Sequence, residues 1–237
     1  MSRLRRIYDG RWSAFLIISG IAHAQQAGTI SGKILQDNGT PMSGAVVSAQ
    51  AQRATAVSKP FRADAVTLKD GTFTIKGTPP GSYRICVQPQ KDPLLSTCDW
   101  GLSPTLVTVN SSTVTSVPII QLQKGAPIQV QIVDPLKLVT AVAGKVPGNG
   151  ILVGLWMPSG LFLPMPLQSS TAVGRTHQIA VPLGARVNVS VHSSLFQLKD
   201  GTGSAINPQK GASVSTQADA NGKSQIFIFT VLGKLSQ

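Results

Sequence analysis

The chain has 237 residues, 21 Lys and Arg against 9 Asp and Glu, a formal net charge of +12, and two cysteines. It contains no glutamate and three histidines, so the side chains on which most general acid–base catalysis draws are scarce. No zinc-type histidine spacing, phosphate-binding glycine loop or Gly-x-Ser-x-Gly elbow occurs, so no metal or cofactor is expected and no catalytic residues are assigned.

The N-terminus reads as an export signal over residues 1–24. Arg3, Arg5, Arg6 and Arg11 form a basic region, an apolar run from Trp12 to Ile21 follows, and Ala22-His23-Ala24 places small residues where a signal peptidase reads them. The run is short for a membrane span, and no later stretch is apolar enough for one, so no transmembrane segment is expected in the mature chain. No cysteine follows the cleavage position to carry a lipid anchor. The first 24 residues hold four Arg and Asp9, which leaves 17 basic and 8 acidic side chains, net +9. These basic residues are scattered singly, the pattern of a solvated surface rather than of a nucleic-acid site. A periplasmic or extracellular location follows.

After the signal, short apolar alternations separated by Gly, Pro, Asn and Asp predict an all-β chain. Seven strands are expected in a first domain, 25–123, at 28–35, 45–51, 65–69, 72–76, 82–88, 105–109 and 114–122. Its organising stretch is TLKDGTFTIKGTPPGSYRICV, from Thr67 to Val87. Asp70-Gly71 is a tight turn expected to set the register of the first strand pair, because glycine takes positive φ without steric cost. Phe73 and Ile75, then Tyr83, Ile85 and Val87, alternate with polar residues and mark one buried face. Cys86 points to the opposite face. In an oxidising compartment Cys86 and Cys98 are expected to pair, pinning the intervening segment over the outside of the sheet.

Lys124-Gly125-Ala126-Pro127 is the boundary to a second β-sandwich-like domain, 124–237. Strands are expected at 128–133, 151–156, 177–181, 187–192, 196–199 and 225–231, with a long loop over 135–150. The last of these, IFIFTV, suits either the centre of a sheet or an edge that pairs with another chain. The stretch from Ile151 to Pro166 is the most apolar of the mature chain; core strands explain it, and an exposed hairpin that binds a partner is the alternative. LKDGT occurs twice, at Leu68 to Thr72 and at Leu198 to Thr202.

Four blocks in order carry a resemblance. They are the opening strand Gly28-Thr29-Ile30-Ser31-Gly32-Lys33-Ile34, the run Ser43-Gly44-Ala45-Val46-Val47, Asp70-Gly71-Thr72-Phe73, and Pro80-Gly81-Ser82-Tyr83. Together, over about 27–123, the chain resembles the carboxypeptidase regulatory-like family. The resemblance implies a seven-stranded transthyretin-like (prealbumin-like) Greek-key sandwich and a non-catalytic module. Elsewhere this module accompanies a peptidase domain or sits in bacterial surface and receptor proteins; no peptidase domain is present here. The same fold group is described as carbohydrate-binding-like.

The fold class expected is therefore all-β, with two β-sandwich domains, and the function that of an exported, non-catalytic binding or structural protein of the envelope or extracellular space. The sequence does not identify its partners; the candidates are a polysaccharide or another envelope protein, with Trp100, Trp156 and Phe162 as the candidate ligand contacts. One alternative is a carbohydrate-binding module protein. The other is an enzyme with a site in the second domain around His177, His192 and Asp200. On the export reading, protein secreted from a bacterial host should begin at Gln25 by intact-mass measurement. Recovery of the full chain in the inner membrane would contradict it.

Overall fold

Strands with one apolar face gain most by closing two such faces on each other, and this chain does so twice. The structure is a computed structural model that describes residues 26–52, 61–90, 92–100, 104–144, 147–157, 159–207 and 210–235. The expected export signal lies outside the described residues.

The first sandwich is built from β1 (Gly28–Leu35), β2 (Val46–Ala51), β3 (Arg62–Val66), β4 (Thr72–Thr78), β5 (Gly81–Gln88), β6 (Thr105–Val109), β7 (Val114–Ser116) and β8 (Ile120–Gln121). One sheet has the order β4-β1-β7, with β8 also on β1, and the other β3-β2-β5-β6. Ile30, Ile34, Val47, Phe73, Ile75, Tyr83, Ile85 and Val87 pack between them. The expected apolar face of the organising stretch is thus one face of a core. Gly32 lies opposite Phe73 in the β1–β4 ladder. A Cβ on Gly32 would come within 2.8 Å of the Phe73 ring, so the glycine makes room for it.

Three expectations need correction. The strand expected at 114–122 is interrupted at residues 117–119, where Pro118 offers no N–H to the ladder, so one strand path is read as β7 and β8. The strand expected at 65–69 lies earlier, at Arg62–Val66, because Thr67 leaves the ladder to accept the Ala45 N–H on its Oγ1. The Asp70-Gly71 turn does not register a hairpin; β3 and β4 belong to different sheets, and β4 pairs with β1. Gly71 has the expected positive φ, 79°. A Cβ there would lie 2.4 Å from the Ile34 carbonyl, so the turn is pressed against β1.

The second sandwich contains β9 (Ala126–Val133), a one-turn helix α1 (Leu138–Ala141), β10 (Ile151–Trp156), β11 (Phe162–Pro164), β12 (Leu167–Thr171), β13 (Gly174–Val181), β14 (Arg186–Ser193), β15 (Phe196–Lys199), β16 (Ala212–Gln217) and β17 (Gln225–Lys234). Its sheets have the orders β11-β10-β14-β16 and β12-β13-β9-β17-β15. Ile128, Val130, Ile132, Val153, Leu155, Val189, Val191 and Phe229 fill the core. β17 lies inside its sheet, between β9 and β15, which excludes the edge-strand reading of IFIFTV. The segment expected as a loop over 135–150 contains α1 and a 3-10 turn, with Asp134 Oδ2 accepting the Val139 N–H at 2.8 Å.

Phe73→Ala should cost about 3–5 kcal/mol, as truncation of a fully packed aromatic does. Thr72→Ala, on the outer side, where only the hydroxyl's bond to Asp70 is lost, should cost about 0.5 kcal/mol. Denaturant melts of both variants check this; equal sensitivity would contradict the register.

Candidate binding face

The face comes from strand alternation in the second sandwich. Along β10, Ile151, Val153 and Leu155 are buried, while Leu152 and Trp156 are exposed. The apolar 151–166 stretch is therefore a hairpin with one face in the core and the other open, which joins the two readings the sequence allowed. The ladder sets Trp156 opposite Asn188 on β14, and Asn188 opposite Ser215 on β16. Arg186 and Gln217 form the next row. The Ser215 hydroxyl donates to Asn188 Oδ1 at 2.7 Å, which fixes the amide. Trp156, 43% exposed, borders an open groove of about 490 Å³ whose floor is this row of polar side chains.

Trp156 also meets Phe162 across the β10–β11 pair, with ring centroids 5.0 Å apart and planes inclined at 59°. Gly154 makes this possible, since a Cβ there would lie 2.2 Å from the Phe162 ring. The result is an aromatic surface beside amides, hydroxyls and one guanidinium. Such a face has the chemistry to stack a ring against the tryptophan and to fix it by hydrogen bonds. Sequence reading singled out Trp156 and Phe162. It missed Arg186, Asn188, Ser215 and Gln217, because only the cross-strand register assembles them.

Trp100 lies elsewhere. It packs against the core of the second sandwich, with its indole N–H buried and, among the described residues, without a hydrogen-bond partner. Cys86 and Cys98 are bridged, with Cα atoms 5.1 Å apart. Cys86 faces away from the first core as expected, yet is only 2% exposed, because the 92–100 segment covers it.

His177, His192 and Asp200 do not converge. His177 faces inward from β13, His192 faces outward from β14 in the other sheet, and Asp200 sits in the turn after β15. Asp200 Oδ1 accepts the N–H and hydroxyl of Thr202 at 2.9 and 2.7 Å, and the same pair of bonds holds Asp70 to Thr72 at 3.0 and 2.7 Å. The repeated LKDGT is thus a repeated turn. Bonding to the Thr202 hydroxyl, then to backbone N–H groups, holds the Asp200 carboxyl below its usual range. A smaller cavity, about 280 Å³, lies beside Asp134 and Arg175; there Asp134 caps α1 and Arg175 donates to the Ile151 carbonyl at 2.7 Å. Among the described residues no cluster of three His, Cys, Asp or Glu is placed to hold a metal.

Comparison with known proteins bears on the first sandwich. Residues 29–91 match the carboxypeptidase regulatory-like domain family. The regulatory-like match runs from β1 through β5 and stops short of the Gln123 to which the sequence motifs extend the resemblance. No curated protein matches the chain. Among solved structures, the chain is similar to the Bacillus anthracis TIE protein at 10% identity and TM-score 0.33, over 87% of this chain and 34% of that one. It thus spans about a third of that protein's length. It is similar to the minor pilin of Streptococcus agalactiae at 12% identity and TM-score 0.35, over 89% and 98% of the two chains. A streptococcal ancillary pilin gives 11% identity and TM-score 0.36, over 86% and 63%. No helix of the described residues is long and apolar enough to cross a membrane.

His177 supplies a test of the inward-facing β13. Its Nδ1 lies 2.9 Å from the Met165 carbonyl, so Nδ1 carries the proton, and Nε2 is bare and buried, with no hydrogen-bond partner among the described residues. Burial pushes its pKa below the ordinary 6.5, and the nearby Arg175 pushes the same way against that carbonyl bond. The unfolded chain therefore binds a proton that the folded one refuses. Stability should be full above about pH 6.5 and fall as pH drops from there toward the lowered folded value. Urea melts between pH 7.5 and 5.5 should show this loss in the native protein and lose most of it in His177→Leu; identical profiles would contradict the burial.

Proposed function

We propose that this is an exported, non-catalytic β-sandwich protein of the bacterial envelope or extracellular space that binds polysaccharide on the open face of its second domain. In this reading residues 25–123 form the regulatory-like module and residues 124–237 the ligand-binding domain. The observation that carries it is the Trp156 groove, where an aromatic plane stands beside Asn188, Ser215 and Gln217. The polarised C–H groups of a sugar ring suit the electron-rich face of an indole, and its hydroxyls suit amides and hydroxyls. Among the described residues Arg186 is the one charged side chain lining the groove, and none of the lining residues is a carboxylate. A guanidinium matches a carboxylate in two parallel bonds, so polysaccharides bearing acidic sugars are the preferred class.

A second reading rests on the other sheet of the same domain. Ile226, Ile228 and Leu232 are exposed on the outer side of β17, a surface suited to another envelope protein.

Affinity electrophoresis across peptidoglycan, chitin, xylan, pectin and alginate tests the proposal. Retardation by at least one is expected, pectin or alginate foremost. Trp156→Ala should weaken the retained interaction by about 2 kcal/mol, roughly thirtyfold, as loss of an aromatic anchor does. No retardation by any of them, or retardation unchanged in Trp156→Ala, would overturn it.

A further inference from the structure

Gln90 and the residues from Asp92 to Trp100 belong to the first sandwich by sequence, and several of them reach the connection to the second sandwich or that sandwich itself. The root of this segment is fixed twice to β5. Cys98 is bridged to Cys86, and Thr97 exchanges bonds with Val87, its N–H donating to the Val87 carbonyl at 3.0 Å and its Oγ1 accepting the Val87 N–H at 2.9 Å. Its outer part meets the connection between the sandwiches. Leu94 forms an antiparallel bridge with Lys124, the Leu95 N–H donates to the Gln123 carbonyl at 2.8 Å, and the Gly125 N–H donates to the Pro93 carbonyl at 2.8 Å.

Beyond the connection, the segment reaches the second sandwich itself. Gly125 is confined between Leu95 and β13, since a Cβ on it would lie 2.6 Å from Leu95 Cδ2 and 2.7 Å from the Val181 carbonyl. Gln168 on β12 donates to the Gln90 carbonyl at 3.0 Å. Trp100, two residues past the bridge, packs on the second core. Two sandwiches joined by a few residues are expected to move against each other unless a third element holds both. Here one segment, closed into a loop by the disulfide, contacts the connection and the second sandwich together.

We infer that the disulfide-closed loop after β5, with Trp100 just beyond its bridge, is a strut that locks the two sandwiches in one orientation. The bridge acts by keeping the loop folded at its root, so that Trp100 and Leu95 arrive in register. Without it the loop gains the freedom that the bridge removes, and the docking contacts bear that entropic cost alone.

Backbone 15N relaxation on the full mature chain tests this. In the native protein, β1 and β4 amides should report the same rotational correlation time as β10 and β14 amides. In the double variant C86S/C98S the two groups should separate into different, shorter times, while the chemical shifts within both sandwiches stay in place. Trp100→Ala with the bridge intact is the second arm, should the double variant fail to fold. It should also separate the two times, with the disulfide still formed. Affinity electrophoresis on the same variants keeps this apart from the polysaccharide reading, because the Trp156 groove lies wholly on β10, β14 and β16. A single shared correlation time in folded C86S/C98S, or in Trp100→Ala, would overturn the inference.

Discussion

Each sandwich depends on its first strand pairing with its last. β1 runs parallel to β7 and β8, and β9 runs parallel to β17. A parallel pair cannot be closed by a tight turn, so the chain must lay down every intervening strand before either pairing forms. These are the contacts of greatest sequence separation and bear the largest loop-closure entropy. They also place β1 and β9 inside their sheets; in the second sandwich the last strand, β17, is interior too, while β7 and β8 end the first sheet. In the first, β1 is flanked by β4 and by the closing path; in the second, β9 is flanked by β13 and β17.

That closure decides what remains free for function. With β9 and β17 central in the five-stranded sheet, their inward residues Ile128, Val130, Ile132, Phe229 and Val231 form the floor against which β10 and β14 lay Val153, Leu155, Val189 and Val191. Strand alternation then leaves Trp156, Arg186 and Asn188 no choice but the other side. The groove is thus a product of core packing, and Asn188 stands on β14 between the buried Val187 and Val189. A site on such strands is better fixed than one on loops.

Much of this architecture was legible in the sequence, and the failures have physical causes. β1, β6, β10 and β15 begin and end where alternation predicts, because each has apolar residues at every second position between turn residues. β11, β12 and β16 were missed. β12, LQSST, is exposed throughout at the edge of its sheet, and β16 carries a single valine among polar residues, so neither has an apolar period to read. Phe73, Tyr83 and the Cys86–Cys98 pair could be placed because their neighbours in sequence set their faces. Asn188, Ser215 and Gln217 could not, because what makes them a site is their register across three strands. Trp100 carried no such signal either, since its packing partner is the other sandwich.

The regulatory-like match covers β1 to β5 of the first sandwich, and the ligand proposal rests on the second. Among the described residues one tryptophan, Trp156, is exposed on a polar sheet and the other, Trp100, is partly buried against the second core. This contrast allows the central claim, that polysaccharide binds on the β10–β14–β16 face, to be read directly by oxidation footprinting with N-bromosuccinimide and peptide mass spectrometry. With pectin or alginate bound at saturation, the account predicts that Trp156 oxidation is strongly suppressed while Trp100 oxidation stays at its ligand-free level. Unchanged Trp156 oxidation in a protein that demonstrably retains the polysaccharide would contradict it.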